Sequence, residues 1–250
     1  MKRNIRFLLA YDGTRYYGWA KQPGREMTIQ GKMEKLLAEL TGMESVEVIG
    51  AGRTDAGVHA RGMVCNAHLE TDLSADELRD ACNHYLPEDI CVLDVRDASP
   101  RFHARYLAVG KTYGYTCYTG PLKPVFDRKY VWNIPAEWKP DLDRMREAAS
   151  FLAGTHDYAS FCANPRMKKS TVRTVDSIVI EQHGPYLTFT YHGDGFLQHM
   201  VRILTGTLIE CGIGKRDPAS IPALIEAKDR KQAGLTAPPC GLCLISVDYS

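Results

Sequence analysis

The chain is 250 residues long and carries 31 Lys and Arg against 30 Asp and Glu, a formal net charge of +1, with 44% hydrophobic residues. That length supports a substantial core, as one large domain or two small ones, and that composition is ordinary for a globular protein. No apolar run approaches the ~18 residues of a membrane span, and the opening MKRNIRFLLA has too short an apolar stretch for a secretory core, so a cytoplasmic protein with no membrane partner is expected.

Eight cysteines, at 65, 82, 91, 117, 162, 211, 240 and 243, read as free thiols in that compartment. Cys240 and Cys243 form a Cys-x-x-Cys pair, but a structural zinc needs two further ligands at matching spacing and a second such pair is absent. Neither a metal nor another cofactor is expected. The charge is unevenly spread. Arg96 to Lys129 holds seven Lys and Arg against Asp97 and Asp127, and 166–173 (RMKKSTVR) holds four cations and no acid. A polyanion partner and an ordinary solvated surface fit these patches equally well.

In chain order, RNIRFLLAYDG reads as a strand ending at Asp12-Gly13. TIQGKMEKLLAELTG reads as a helix capped by Thr28 and stopped by Gly42, with apolar residues at helical spacing. SVEVIG is a strand, GMVCNAHLE another, and SADELRDACNHYLP a helix opened by a Ser74-x-x-Glu77 capping box. ICVLDVRDA and KTYGYTCYTG are strands. DLDRMREAASFLAG is a helix with Asp141 as cap and Gly154 as stop. TVRTVDSIVIEQ and YLTFTYHG pair across HGPY. FLQHMVRILTGTLIECG and DPASIPALIEAKDR are helices, and GLCLISVDY is a last strand. The expected fold is α+β, in two lobes that each carry an antiparallel or mixed sheet with helices on one face and an active-site cleft between them. The lobes are expected at 1–105 and 106–250.

The stretch GAGRTDAGVHARG, residues 50–62, places four glycines around Asp55. It fails as a phosphate cradle: Asp55 sits where a dinucleotide loop needs its last glycine, and Val58-His59 follows where a P-loop needs Lys-Ser or Lys-Thr. A carboxylate in a phosphate nest would also repel its anion. A turn that merely pairs Arg53 with Asp55 remains open. Yet the glycines let backbone approach a ligand closely, and a carboxylate near Arg53, His59 and Arg61 suits a nucleophile or base.

GRTDAGVHA resembles the active-site loop of the bacterial tRNA pseudouridine synthase A family. YDGTRYYGW, FHAR at 102–105, KTYGY at 111–115, FLQHMVRILTG and APPCGLCL extend the resemblance, in order, along the whole chain. Met63, Cys240 and Cys243 depart from residues common in relatives. The resemblance implies isomerisation of uridine to pseudouridine at positions 38, 39 and 40 of the tRNA anticodon stem-loop, without cofactor or metal, by a homodimer. It makes Asp55 the nucleophile, through attack on C1′ or a glycal route. It makes Tyr113 the ring that stacks on a flipped uracil and a general acid or base. Strand period places Tyr113 and Tyr115 on one face, so periodicity does not separate them.

Arg202 resembles the arginine that pairs with the nucleophile. Its helix shows a polar stripe, Gln198, Arg202 and Gly206, that suits a wet cleft or bulk solvent equally. Phe102, His103, Ala104, Arg105 and Tyr106 match an RNA-contacting segment, and Arg53 a residue of base flipping. Charge alone adds Lys168 and Lys169 as phosphate contacts. A non-catalytic tRNA-binding module and a nucleoside hydrolase using the same aspartate are the alternatives.

Overall fold

The computed structural model describes residues 2–164 and 166–250. Its elements run β1 (Lys2–Tyr11), α1 (Ile29–Thr41), β2 (Val48–Gly50), β3 (His59–Glu70), α2 (Ala75–Tyr85), β4 (Ile90–Ala98), β5 (Ala108–Tyr118), β6 (Trp132–Asn133), α3 (Leu142–Leu152), β7 (Gly154–Asp157), β8 (Val172–His183), β9 (Tyr186–Gly193), α4 (Met200–Gly212), α5 (Ile221–Ala227) and β10 (Leu242–Tyr249). The fold is mixed α+β. No helix of the described residues is long and apolar enough to cross a membrane.

Two compact units divide the chain: Met1–Val109 with Cys243–Ser250, and Gly110–Leu242. The last strand therefore belongs with the first unit rather than with the residues that precede it. The reason is a parallel pairing that periodicity cannot reveal, Cys243 opposite His59 and Leu244 opposite Ala60.

In the first unit the strand order is β4-β1-β3-β10, with β2 added on β3. From Ile5 onward β1 alternates, sending Ile5, Phe7 and Leu9 into a fully enclosed core while Arg6 and Leu8 stay half-buried on the other face. Phe7 lies opposite Cys65 of β3, and the thiol of Cys82 on α2 approaches Cys65, which places α2 on that core face. Burial pushes the Cys82 thiol up to about 12. The helix termini follow local chemistry. Thr28 Oγ1 accepts from Gly31 N, Gly42 closes α1 at φ 68°, and Ser74 and Glu77 form a reciprocal capping box. β3 begins at His59, earlier than its apolar pattern suggests, because Ala60 pairs with Tyr11 as well as with Leu244.

In the second unit the order is β5-β9-β8-β7, with β6 beside β5. The β8–β9 hairpin turns through Gly184 at φ 57°, the expected HGPY position. Asp141 caps α3 by accepting from Asp143 N and Arg144 N, but Gly154 opens β7 rather than closing the helix. α4 starts at Met200, not at Phe196, because His199 adopts a left-handed backbone at φ 59°. The single helix expected over 217–230 is a 3-10 turn at Pro218–Ser220 followed by the short α5, whose Pro222 is tolerated only in the first turn.

Candidate active site

Asp55 stands at the first position of a tight turn. Val58 N donates to Asp55 O at 3.1 Å, and Gly57 at the third position has φ 77°, which an L side chain adopts only under strain. The loop is seated on the segment from Tyr11 to Trp19. Trp19 N donates to Thr54 O at 3.0 Å, Gly57 N to Tyr16 O at 3.3 Å, and the buried hydroxyls of Tyr11 and Thr54 meet at 2.8 Å. Gly18, at φ 92°, lets the two backbones touch: a Cβ there would come within 2.5 Å of Thr54 O. Gly50 lies against the Trp19 ring, where a Cβ would meet the indole at 2.4 Å. The YDGTRYYGW block is thus the floor of the aspartate loop. Asp55 is half-buried and Arg53 beside it is exposed.

The other basic residues of the loop have further partners. His59 is buried, with Gly13 N donating to its Nδ1 at 3.1 Å and Asp12 Oδ1 at 3.2 Å from the same nitrogen. Arg61 bonds the thiol of Cys243, moderating a thiol that burial pushes up to about 11.

Phe102–Tyr106 divides by role. The Ala104 side chain is fully buried, its N–H donates to Asn66 Oδ1 at 2.9 Å and its carbonyl accepts from Tyr249 Oη at 2.7 Å. Ala104 therefore anchors the segment and offers no surface to a ligand. Phe102 O accepts from Asn4 Nδ2 at 2.9 Å, and the Phe102 ring packs on Tyr249. His103 stacks on Tyr106 with ring centroids 4.1 Å apart, its Nδ1 accepting from Tyr106 N at 3.2 Å. Arg105 and Tyr106 face solvent. The buried Asn4–Asn66 pair, invisible to pattern reading because each sits in an ordinary strand, fixes this loop.

Within the second unit the structure separates two tyrosines that periodicity does not. Tyr115 is fully enclosed and its hydroxyl donates to Pro238 O at 2.7 Å. Tyr113 is 8% exposed and meets Phe196 edge to face at 5.2 Å. Tyr118, further along the strand, is half-buried. Opposite Tyr113 on β9 is Tyr191, whose hydroxyl meets Thr205 Oγ1 of α4 at 2.8 Å. One turn earlier on that helix Arg202 Nε donates to Ala237 O at 2.7 Å, and Ala237 N returns a bond to Arg202 O.

The polar stripe of α4 is therefore no solvent face. Gln198 lies outside the helix, and Gly206 is buried so tightly that a Cβ would stand 1.9 Å from Leu235 O. Lys168 and Lys169 are exposed on the loop before β8. Among the described residues no cluster of three His, Cys, Asp or Glu is placed to hold a metal ion.

Asp55 thus stands half-buried on a glycine-built turn, with the exposed Arg53 two residues before it. The chain belongs to the tRNA pseudouridine synthase family, matching it over residues 8–107 and 148–250. It is 40% identical over 247 residues to tRNA pseudouridine synthase A 2 of Clostridium perfringens, covering 99% of this chain and 100% of that protein. It is 42% identical to tRNA pseudouridine synthase A of Moorella thermoacetica, covering 98% of this chain and 99% of that one. The same identity holds to tRNA pseudouridine synthase A of a Geobacillus species, over 100% of this chain and 99% of that one.

Proposed function

We propose that this chain isomerises uridine to pseudouridine at positions 38, 39 and 40 of the tRNA anticodon stem-loop, with Asp55 as the nucleophile. The family carries the isomerisation, and the seating of Asp55 on a turn held from below by Tyr11, Trp19 and Thr54 supports the residue. In the reaction the bond from C1′ to N1 of uracil breaks, the base turns, and C1′ rejoins at C5, whose proton leaves as N1 gains one. No electrons are exchanged. Asp55 serves either by attack on C1′ or by taking a ribose proton on a glycal route.

Tyr113 is proposed to stack on the base, its ring held by Phe196 and its strand tied to α4 through Tyr191 and Thr205. Arg202 is held by Ala237 and supplies positive charge to the same chemistry. Exposed Arg53 fills the gap left by the flipped nucleotide. Arg105, Tyr106, Lys168 and Lys169 meet RNA, with Phe102, His103 and Ala104 holding that loop in shape. A homodimer, in a cytoplasmic setting, completes the reading. Position mapping tests it: tRNA incubated with the protein gains pseudouridine at 38–40, and pseudouridine confined to other positions contradicts the assignment.

The lysine pair gives a smaller effect. Lys168→Glu with Lys169→Glu is expected to weaken tRNA binding and to flatten the dependence of log K on log salt by about 0.7–0.9 per lost phosphate contact. Binding measured from low to moderate salt checks this, and an unchanged slope returns both lysines to the solvated surface.

A further inference from the structure

On the face of the first unit's sheet turned away from α2, a pocket of about 340 Å³ is walled by Arg6, Arg96, Arg101, Ser99, Phe102 and Leu107. Arg6 of β1 lies directly opposite Arg96 of β4. Like charges so placed repel across an antiparallel pair, and the arrangement is relieved by an anion between them. Arg96 Nε is balanced by Asp94 Oδ2 at 2.7 Å, and Asp97, also in the wall, is gripped on both carboxylate oxygens by Arg3 at 2.8 Å.

Arg6 and Arg101 have no such balance: neither side chain makes an ion pair or hydrogen bond with the described residues. Arg6 is nevertheless held in place, its guanidinium 4.9 Å from the Tyr249 ring centroid and 5.7 Å from that of Phe102. Ser99 O accepts from Asn4 Nδ2 at 2.8 Å and from Phe102 N at 2.8 Å, which fixes the turn that carries Arg101. The held fork of Arg6 and the exposed fork of Arg101 on its fixed turn, with an apolar wall at Phe102 and Leu107, suit a phosphodiester with its ribose resting on the apolar side.

We infer that this pocket binds a backbone phosphate of the tRNA substrate, at a point remote from the reacting uridine; the inference rests on the tRNA reading above. Arg6 is opposite Asn66 of β3, and Asn66 is seven residue steps along that strand from His59, so the pocket stands about 20–25 Å along the strand from the aspartate loop. The contact therefore governs affinity and register on the RNA, reading shape rather than sequence. Arg96 and Arg101 fall in the basic stretch 96–129, but Arg6 lies far from it in sequence, and only strand register brings the three to one pocket.

Arg6→Gln and Arg101→Gln test it, with binding to tRNA measured across salt and turnover measured on the same preparations. Each variant is expected to lose about tenfold in affinity and about 0.7–0.9 of the salt slope, the loss falling on KM rather than kcat. Arg6 packs on two aromatic rings, so its melting temperature is read alongside. Arg101 is exposed and packs on nothing fixed, so its variant stays interpretable if Arg6→Gln unfolds. Inorganic phosphate is titrated as a second probe. Phosphate binding that both variants abolish, with tRNA affinity and slope unchanged, makes this a small-anion site and overturns the inference. Unchanged tRNA affinity and slope with no phosphate binding overturns it as well. Wild-type protein that forms no pseudouridine in tRNA overturns instead the reading on which the inference rests.

Discussion

Asp55→Asn is expected to lower pseudouridine formation by about 10³-fold or more while tRNA affinity stays within about tenfold of wild type. The amide keeps the size of the carboxylate, and the turn does not depend on the side chain, because its closing bond runs from Val58 N to the main-chain oxygen of Asp55. The seat is likewise made by neighbours: Tyr11 with Thr54, Trp19 N with Thr54 O, Gly57 N with Tyr16 O. What the change removes is a negative oxygen able to attack carbon or take a proton. Binding survives because it is spread over many cations. Single-turnover assays and equilibrium binding on the same variant check both halves. Residual activity above a few per cent removes Asp55 from the nucleophile role.

Gly13→Ala is expected to damage both stability and rate, and the rate more than the stability accounts for. A Cβ on Gly13 would stand 2.0 Å from Val58 O, and the Gly13 N–H donates to the buried His59 ring at 3.1 Å. The neighbour in the way is backbone, so it gives only by shifting the turn whose N–H at Val58 closes on Asp55. Overpacking of this kind costs about 1–3 kcal/mol. In a chain this long that lowers the melting temperature by roughly 2–12 °C. Displacing the aspartate by an ångström costs about 10²-fold in rate. Gly24→Ala is the control: Gly24 has φ 70° and nothing within 4 Å of its would-be Cβ, so it strains the backbone without touching the turn. Single-turnover rates well below both melting temperatures separate the cases. A Gly13→Ala protein that melts early but turns over normally contradicts the seating of the loop.

Much of the fold was legible because local chemistry decided it. Thr28, Gly42, the Ser74–Glu77 box and the Asp141 cap each act within four residues, and the alternation of β1 from Ile5 onward follows from the apolar face being buried. Where the reading slipped, tertiary contacts overrode local pattern. β3 starts early through its pairing with β1 and β10, α4 starts late at the left-handed His199, and the last strand leaves its sequence neighbours to lie beside β3. The site was legible in part. Asp55 stood out by its glycines, but the reason for the YDGTRYYGW block is a backbone-to-backbone seat that no spacing announces. Ala104 looked like one of a row of RNA contacts, whereas its backbone is spent on Asn66 and Tyr249. Arg6 and Arg96, apart by ninety positions, become neighbours only through strand register.

The most direct test of the account is the identity of the product. tRNA is incubated with the wild-type protein without added metal or cofactor, digested to nucleosides, and resolved by chromatography with mass detection. The account predicts that uridine is lost and replaced, mole for mole, by an isomeric nucleoside of unchanged mass, with no free base released. Free uracil would make the protein a hydrolase, and bound but unaltered tRNA would make it a binding module; either result contradicts the isomerase.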